Sequence, residues 1–238
     1  MDTRRKRGVD SLERAFELLD AFRGGQPSLS LSELAEKTGL YKSTILRMFV
    51  SIERYGYLVR LESGRFALGA TVFHLGNAYQ RTFPVIDYVR PVLDRLTGEM
   101  KESSSFWTLE GGHRVCLCRV ECSQNVREAL FRQGDRLRLD KGPTSTLLLA
   151  FSGARGKRFD EVRKDVAAVS LGLYRPDVAG ISCPAFAAGG ALAGAVTLTG
   201  PRQRFDERAV PRMKEAVRLA AEEITRSLGG SGNIRRTR

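Results

Sequence analysis

Histidine is nearly absent from this 238-residue chain: His74 and His113 are the two imidazoles, beside four cysteines, one tryptophan and eight prolines. A structural zinc site normally shows two pairs of ligands, each pair two to four residues apart. Cys116, Cys118, Cys122 and Cys183 with two isolated histidines do not supply that pattern twice, so neither a metal nor a cofactor is expected. Disulfides are not expected either, because no signal-peptide core follows Arg4-Arg5-Lys6-Arg7 and the chain reads as cytosolic, a reducing compartment. No apolar run approaches the roughly 20 residues of a membrane span. Catalytic chemistry also lacks its parts: neither histidine has an obvious carboxylate partner, and no lysine and hydroxyl pair follows Gly189-Gly190 to make a phosphate loop. An enzyme is therefore not expected.

What is present is a soluble globular composition, 42% hydrophobic and 28% charged, long enough for one or two cores. The formal charge of +12 favours a polyanion partner. Its distribution does not locate one, since residues 1–80 hold 12 Lys or Arg against 9 Asp or Glu and the remainder 27 against 18. The Arg4 to Arg7 run fits a DNA-tracking arm or a solubilising tail equally well, as do Arg235, Arg236 and Arg238.

Residues 28–69 carry the sharper signal. Ser30 and Glu33 form a capping box at the start of a helix whose face is Leu31, Leu34 and Ala35, and Thr38-Gly39 ends it. After a very short turn a second helix is expected over 41–54, with Ile45, Leu46, Phe49 and Ile52 as one buried stripe. Its other face begins with Lys42, Ser43, Thr44 and Arg47, hydroxyls and cations near a helix N-terminus that suit phosphates and base edges. A strand over 57–61, a Glu62-Ser63-Gly64 turn and a strand over 65–68 complete a wing bearing Arg60 and Arg65. Helix, turn, helix and wing together predict a duplex DNA partner.

Around this motif, 10–22 reads as a helix with Asp10 and Glu13 as a variant capping box, and 69–79 as a helix with exposed apolar surface, which often marks self-association. A helix over 86–101 leads to strands over 104–109, 114–120, 126–131 and 137–139. In the second of these, alternation puts the thiols of Cys116 and Cys118 on one face. Helices over 145–151 and 159–167, a hairpin of 181–186 with 191–199, and a helix over 206–228 close the chain. Runs of strands flanked by helices imply an α+β fold with a mainly antiparallel sheet.

The chain resembles the IclR family of bacterial transcriptional regulators over nearly its whole length. The resemblance is carried by Ser11-Leu-Glu-Arg-Ala-Phe-Glu-Leu-Leu-Asp20, Leu31-Ser-Glu-Leu-Ala-Glu-Lys-Thr-Gly-Leu40, Lys42-Ser-Thr-Ile-Leu-Arg47, Gly56-Tyr-Leu58, Arg65-Phe-Ala-Leu-Gly69, Gly180-Ile-Ser-Cys-Pro-Ala185 and Thr197-Leu-Thr-Gly-Pro201. It implies a winged helix-turn-helix over 1–69, a linker helix over 70–83, a GAF-like effector-binding and oligomerisation domain over 84–230, and a basic tail over 231–238. The implied partners are a palindromic duplex operator, a small-molecule effector and a second or fourth copy of the chain. Tyr41 stands where the family often has proline.

For the effector, the resemblance points to the turn Gly142-Pro-Thr-Ser-Thr146, hence Pro143, Thr144 and Ser145, whose helix amides would hold a carboxylate in relatives. Pro143 has no amide hydrogen to give, and Ser145-Thr146 replace the family's glycine and lysine. Ala129 and Leu137 match apolar pocket walls, Thr197 and Thr199 match strand serines, and Gly180 falls where relatives have a pocket cysteine. Leu173 replaces a residue often acidic, which leaves Asp177 as the nearby carboxylate. The expected function is a regulator whose operator binding responds to an effector, with an organic or aromatic acid favoured by the basic C-terminal part. Two alternatives stay open: a regulator without effector whose C-terminal domain only dimerises, and an enzyme or metabolite-binding module.

Overall fold

The computed structural model describes residues 8–82, 85–124 and 130–231. Two compact units, Met1–Phe83 and Pro84–Arg238, divide the chain. The Arg4 to Arg7 run, Ala129, most of the strand expected over 126–131, and residues 232–238 of the tail lie outside the described residues.

In the first unit, α1 (Asp10–Asp20) continues as a short 3-10 turn, and α2 (Leu31–Thr38) and α3 (Lys42–Arg54) follow with a three-residue turn between them. The capping box expected at α1 does not form: Val9 is its N-cap and no side chain caps it. At α2 the box is complete, with the Glu33 amide donating to Ser30 Oγ (3.2 Å) and the Ser30 amide donating to Glu33 Oε2 (2.6 Å). Gly39, at φ 70°, ends α2 in a left-handed conformation that costs glycine nothing. The strands β1 (Leu58–Arg60) and β2 (Phe66–Leu68) pair antiparallel as the wing, and Leu29 exchanges two backbone hydrogen bonds with Phe66 (2.8 and 2.7 Å), extending the wing by one strand position. Leu18, Leu29, Leu34, Ile45, Phe49, Leu58 and Phe66 fill the core, where Phe49 meets Phe66 edge-on at 4.7 Å. Leu46 is not in that stripe. It is 40% exposed, beside Val50, because Ile45, Phe49 and Ile52 already occupy the inward arc of α3 and Leu46 lies about 100° round from Ile45. The helix α4 (Ala70–Thr82) keeps Phe73 and Leu75 exposed.

Arg65, expected at DNA, is also held within the unit. Its Nε donates to Ser28 Oγ (2.9 Å) and a terminal nitrogen to Ser28 O and Glu33 Oε2 (3.0 and 2.8 Å), so it ties the wing to the start of α2 while its side chain stays 40% exposed. The Ser30 amide and hydroxyl, then Arg65, hold the Glu33 carboxyl below its ordinary value of 4.5. A carboxyl lowered on folding stabilises the fold above its unfolded pKa and loses that contribution as pH falls through the native value. Parent and Glu33→Gln should therefore differ in urea midpoint at pH 7 and converge at pH 3; a difference that persists at pH 3 would assign it to packing.

The second unit is one six-stranded antiparallel sheet, in the order β5 (Arg136–Arg138), β4 (His113–Val120), β3 (Ser103–Glu110), β8 (Leu192–Pro201), β7 (Val178–Phe186) and β6 (Ala168–Leu171). The edge strand β6 lies just after the expected helix, which ends earlier, as α7 (Lys157–Asp165). On one face pack α5 (Val85–Met100) and α8 (Ala209–Ser227), where Ser104 Oγ donates to Leu93 O (3.1 Å) and the Phe186 amide donates to Thr225 Oγ1 (3.0 Å). On the other pack α6 (Pro143–Phe151) and α7, around Trp107, Cys116, Leu147, Leu148 and Phe159. The two thiols do not share a face. The register shifts between Phe106 and Trp107, so that Cys118 pairs with Phe106 and Cys116 with Trp107. Cross-strand partners point the same way, and a bulge adds the one residue that breaks the alternation. Among the described residues no helix is long and apolar enough to cross a membrane, and no three His, Cys, Asp or Glu side chains gather as metal ligands.

Candidate functional site

The first unit presents α3. Its N-cap, Tyr41, is 84% exposed and gives no side-chain cap, and its first turn holds no acidic residue. The opening amides therefore keep unshared hydrogens at the positive end of the helix dipole, in contrast to the boxed α2. Lys42, Ser43 and Arg47 are exposed there and Thr44 is half-buried. No ion pair or hydrogen bond to the described residues holds the head group of Lys42 or Arg47. Arg60 is exposed on the wing, its guanidinium carbon 5.8 Å from the Phe66 ring. All six cations and hydroxyls expected at DNA are thus exposed or half-exposed, and Arg65 alone of them is also bonded to Ser28 and Glu33.

The second unit holds a narrow cleft where α6 meets the sheet, with an enclosed volume of about 20 Å³, little more than a water, opening to solvent through its mouth. Pro143, Thr144, Gly180 and Thr199 line it, so the structure gathers four of the expected effector residues. Gly180 is closely packed: a Cβ there would lie 3.1 Å from Pro143 Cγ and 3.2 Å from both Leu198 O and Thr199 Cγ2. Thr197 sits below the lining, where the Thr144, Ser182 and Thr197 hydroxyls close a buried triangle with sides of 3.3, 3.0 and 2.8 Å. Ser145 is fully buried with its Oγ unpartnered and does not line the cavity. Leu137, half-buried on β5, packs against the Trp107 cluster. Leu173 is 64% exposed, and Asp177 pairs with Arg175 at the surface (3.2 Å), so among the described residues neither position puts a carboxylate in the cavity.

Among the cavity-wall residues that sequence reasoning missed are Arg114, Phe131, Tyr174 and Ser170. Arg114 is 3% exposed, with its guanidinium carbon 4.8, 5.1 and 5.6 Å from the rings of Trp107, Phe131 and Tyr174. Burial pushes its pKa down, against the pull of Tyr174, Asp140 and Cys116. A signal existed: the period of two puts Arg114 on the same strand face as Cys116, a charge on a face otherwise read as buried. Phe131, expected at the end of a strand, and Tyr174 both lie in irregular segments.

Comparison with known proteins follows the same division. Residues 11–62 match the profile described as the IclR helix-turn-helix domain, and residues 154–226 that of the bacterial transcriptional regulator IclR C-terminal domain. The HTH-type transcriptional regulator KipR of Bacillus subtilis is 27% identical, across 86% of this chain and 91% of its own. For BhcR of Paracoccus denitrificans the identity is 26%, across 92% and 87%. An IclR homologue from Microbacterium hydrocarbonoxydans, solved in complex with 4-hydroxybenzoate, shares the fold with a TM-score of 0.76 at 20% identity, across 93% of this chain and all of that one. Reader helix, wing and sheet domain thus match in one order along one chain, and the protein belongs to the IclR family of DNA-binding transcriptional regulators.

Proposed function

We propose that this regulator binds a duplex operator as a homo-oligomer, two or four copies, and that a small molecule in the α6 cavity changes that binding. The observation that carries the reading is the exposed, uncapped N-terminus of α3 on a chain whose second unit holds a cavity walled by a buried cation. Lys42, Ser43, Thr44 and Arg47 would meet phosphates and base edges, with Arg60 reaching from the wing. The exposed Phe73 and Leu75 on α4 favour self-association, and two copies on a palindrome require half-sites spaced to match their α3 helices. An effector acts through its unequal affinity for two spacings of those helices. A chromosomal operator makes the protein cytoplasmic. The 4-hydroxybenzoate of the Microbacterium homologue supports an organic or aromatic acid as the class of effector.

A second reading, a regulator whose second unit only dimerises, is favoured by one observation: Pro143 offers no amide, and the Thr144, Ser182 and Thr197 hydroxyls already satisfy one another. Selecting genomic fragments on the full chain, then footprinting them with and without a metabolite extract, separates the readings. The expected result is a small set of protected duplexes, released or tightened by the extract. No enriched duplex at moderate salt would overturn the regulator reading, and protection that no extract alters would favour the second.

A further inference from the structure

Burying a guanidinium costs several kcal/mol unless hydrogen bonds and an opposite charge replace its water. The unit's other buried ionised group with an assigned partner, Glu102, obeys this rule, since two nitrogens of Arg204 donate to its carboxylate. Arg114 does not. Its Nε is buried and unpartnered, and no hydrogen bond or ion pair reaches its guanidinium from the described residues. Asp140, a carboxylate that acts on it from a distance, forms no ion pair with it and accepts from the Lys141 amide at Oδ1 (2.6 Å). Three ring faces surround the cation, and such contacts offset a part of the cost only.

Among the described residues nothing answers that charge, and the guanidinium borders the cavity. Arg114 lines it opposite Pro143 and Thr144, the first turn of α6, where the Thr144 and Ser145 amides have no acceptor within the helix. Phe131 and Tyr174 also line it, with ring centroids 5.3 Å apart, so the space beside the guanidinium is bounded by aromatic surface. Resting on the reading of this cavity as the effector site, we propose that Arg114 is the residue that selects the effector's charge: it takes the carboxylate of a small monoacid whose body lies along the surface that Phe131 and Tyr174 form together. A guanidinium offers a planar fork that fits a carboxylate through two parallel hydrogen bonds, which restores the contact that Pro143 removes from the helix end. Neutral molecules of the same shape leave the cation unanswered and are rejected.

The test uses the full chain with acetate and benzoate and their uncharged amides, acetamide and benzamide, followed by thermal shift and calorimetry in the parent, Arg114→Met and Arg114→Lys. At least one acid should raise the parent's Tm while its amide does not. Arg114→Met should lose the acid's affinity ten-fold or more, with Arg114→Lys between. Without ligand, Arg114→Met should melt above the parent, because an apolar side chain of similar length replaces an unpaired buried charge; a cation kept only to hold the three rings together predicts a lower Tm. An amide that binds as tightly as its acid, or an acid that Arg114→Met binds as the parent does, overturns the role of Arg114 and leaves the effector reading standing. If none of the four binds, the carboxylate assignment falls, while the effector reading is decided by the extract footprint, which does not pass through Arg114.

Discussion

Phe66→Ala should abolish specific operator binding while the second unit keeps its own melting transition. Phe66 is 1% exposed, packs edge-on against Phe49 of α3 at 4.7 Å, and bonds through its backbone to Leu29 in both directions. Truncating a buried phenylalanine removes its transfer free energy and leaves a cavity, about 3–5 kcal/mol in all. The first unit is small, and small domains bury too little surface to absorb such a loss easily. Calorimetry should show one transition displaced and the other unmoved, with operator affinity falling to the non-specific level. Operator affinity equal to the parent's would mean that the wing and α3 do not depend on this contact.

The second large effect belongs to α3 itself. Arg47→Ala should cost about 1–3 kcal/mol of operator binding and relax the preference at one base position, as the loss of a base-edge contact does. Lys42→Ala, at the first residue of the helix, should weaken all duplexes alike and reduce the slope of log affinity against log salt by about 1. Both side chains are exposed and hold no partner among the described residues, so neither substitution should move the melting temperature. Unchanged binding of Arg47→Ala at moderate salt would count against the placement of α3 in the groove. Arg65 provides the contrast, since its three hydrogen bonds to Ser28 and Glu33 make it a brace of the wing.

The elements that were legible share a cause. Ser30 with Glu33, Gly39 after Thr38, and the stripe of Ile45, Phe49 and Ile52 act over four to seven residues, and such short-range rules need no knowledge of the rest of the chain. Where a second determinant competed, the reading failed locally. Asp10 and Glu13 have the residue types of a box, yet α1 begins at Asp10 itself, so the pair stands one place too late to cap it. Alternation put Cys116 and Cys118 together until one extra residue in β4 turned them apart.

The sequence by itself determined a DNA-reading motif, a separate sheet domain and the family, because capping, helical period and turn chemistry are local and the motifs are contiguous. Only the tertiary structure decided which arginines are available. Arg65, read as a wing contact, is bound to residues 37 and 32 positions earlier, and Arg114, read as one more strand residue, is enclosed by rings from positions 107, 131 and 174. A side chain's charge is written in the sequence, but whether water, a carboxylate or an aromatic face answers it depends on which distant segments the fold brings beside it.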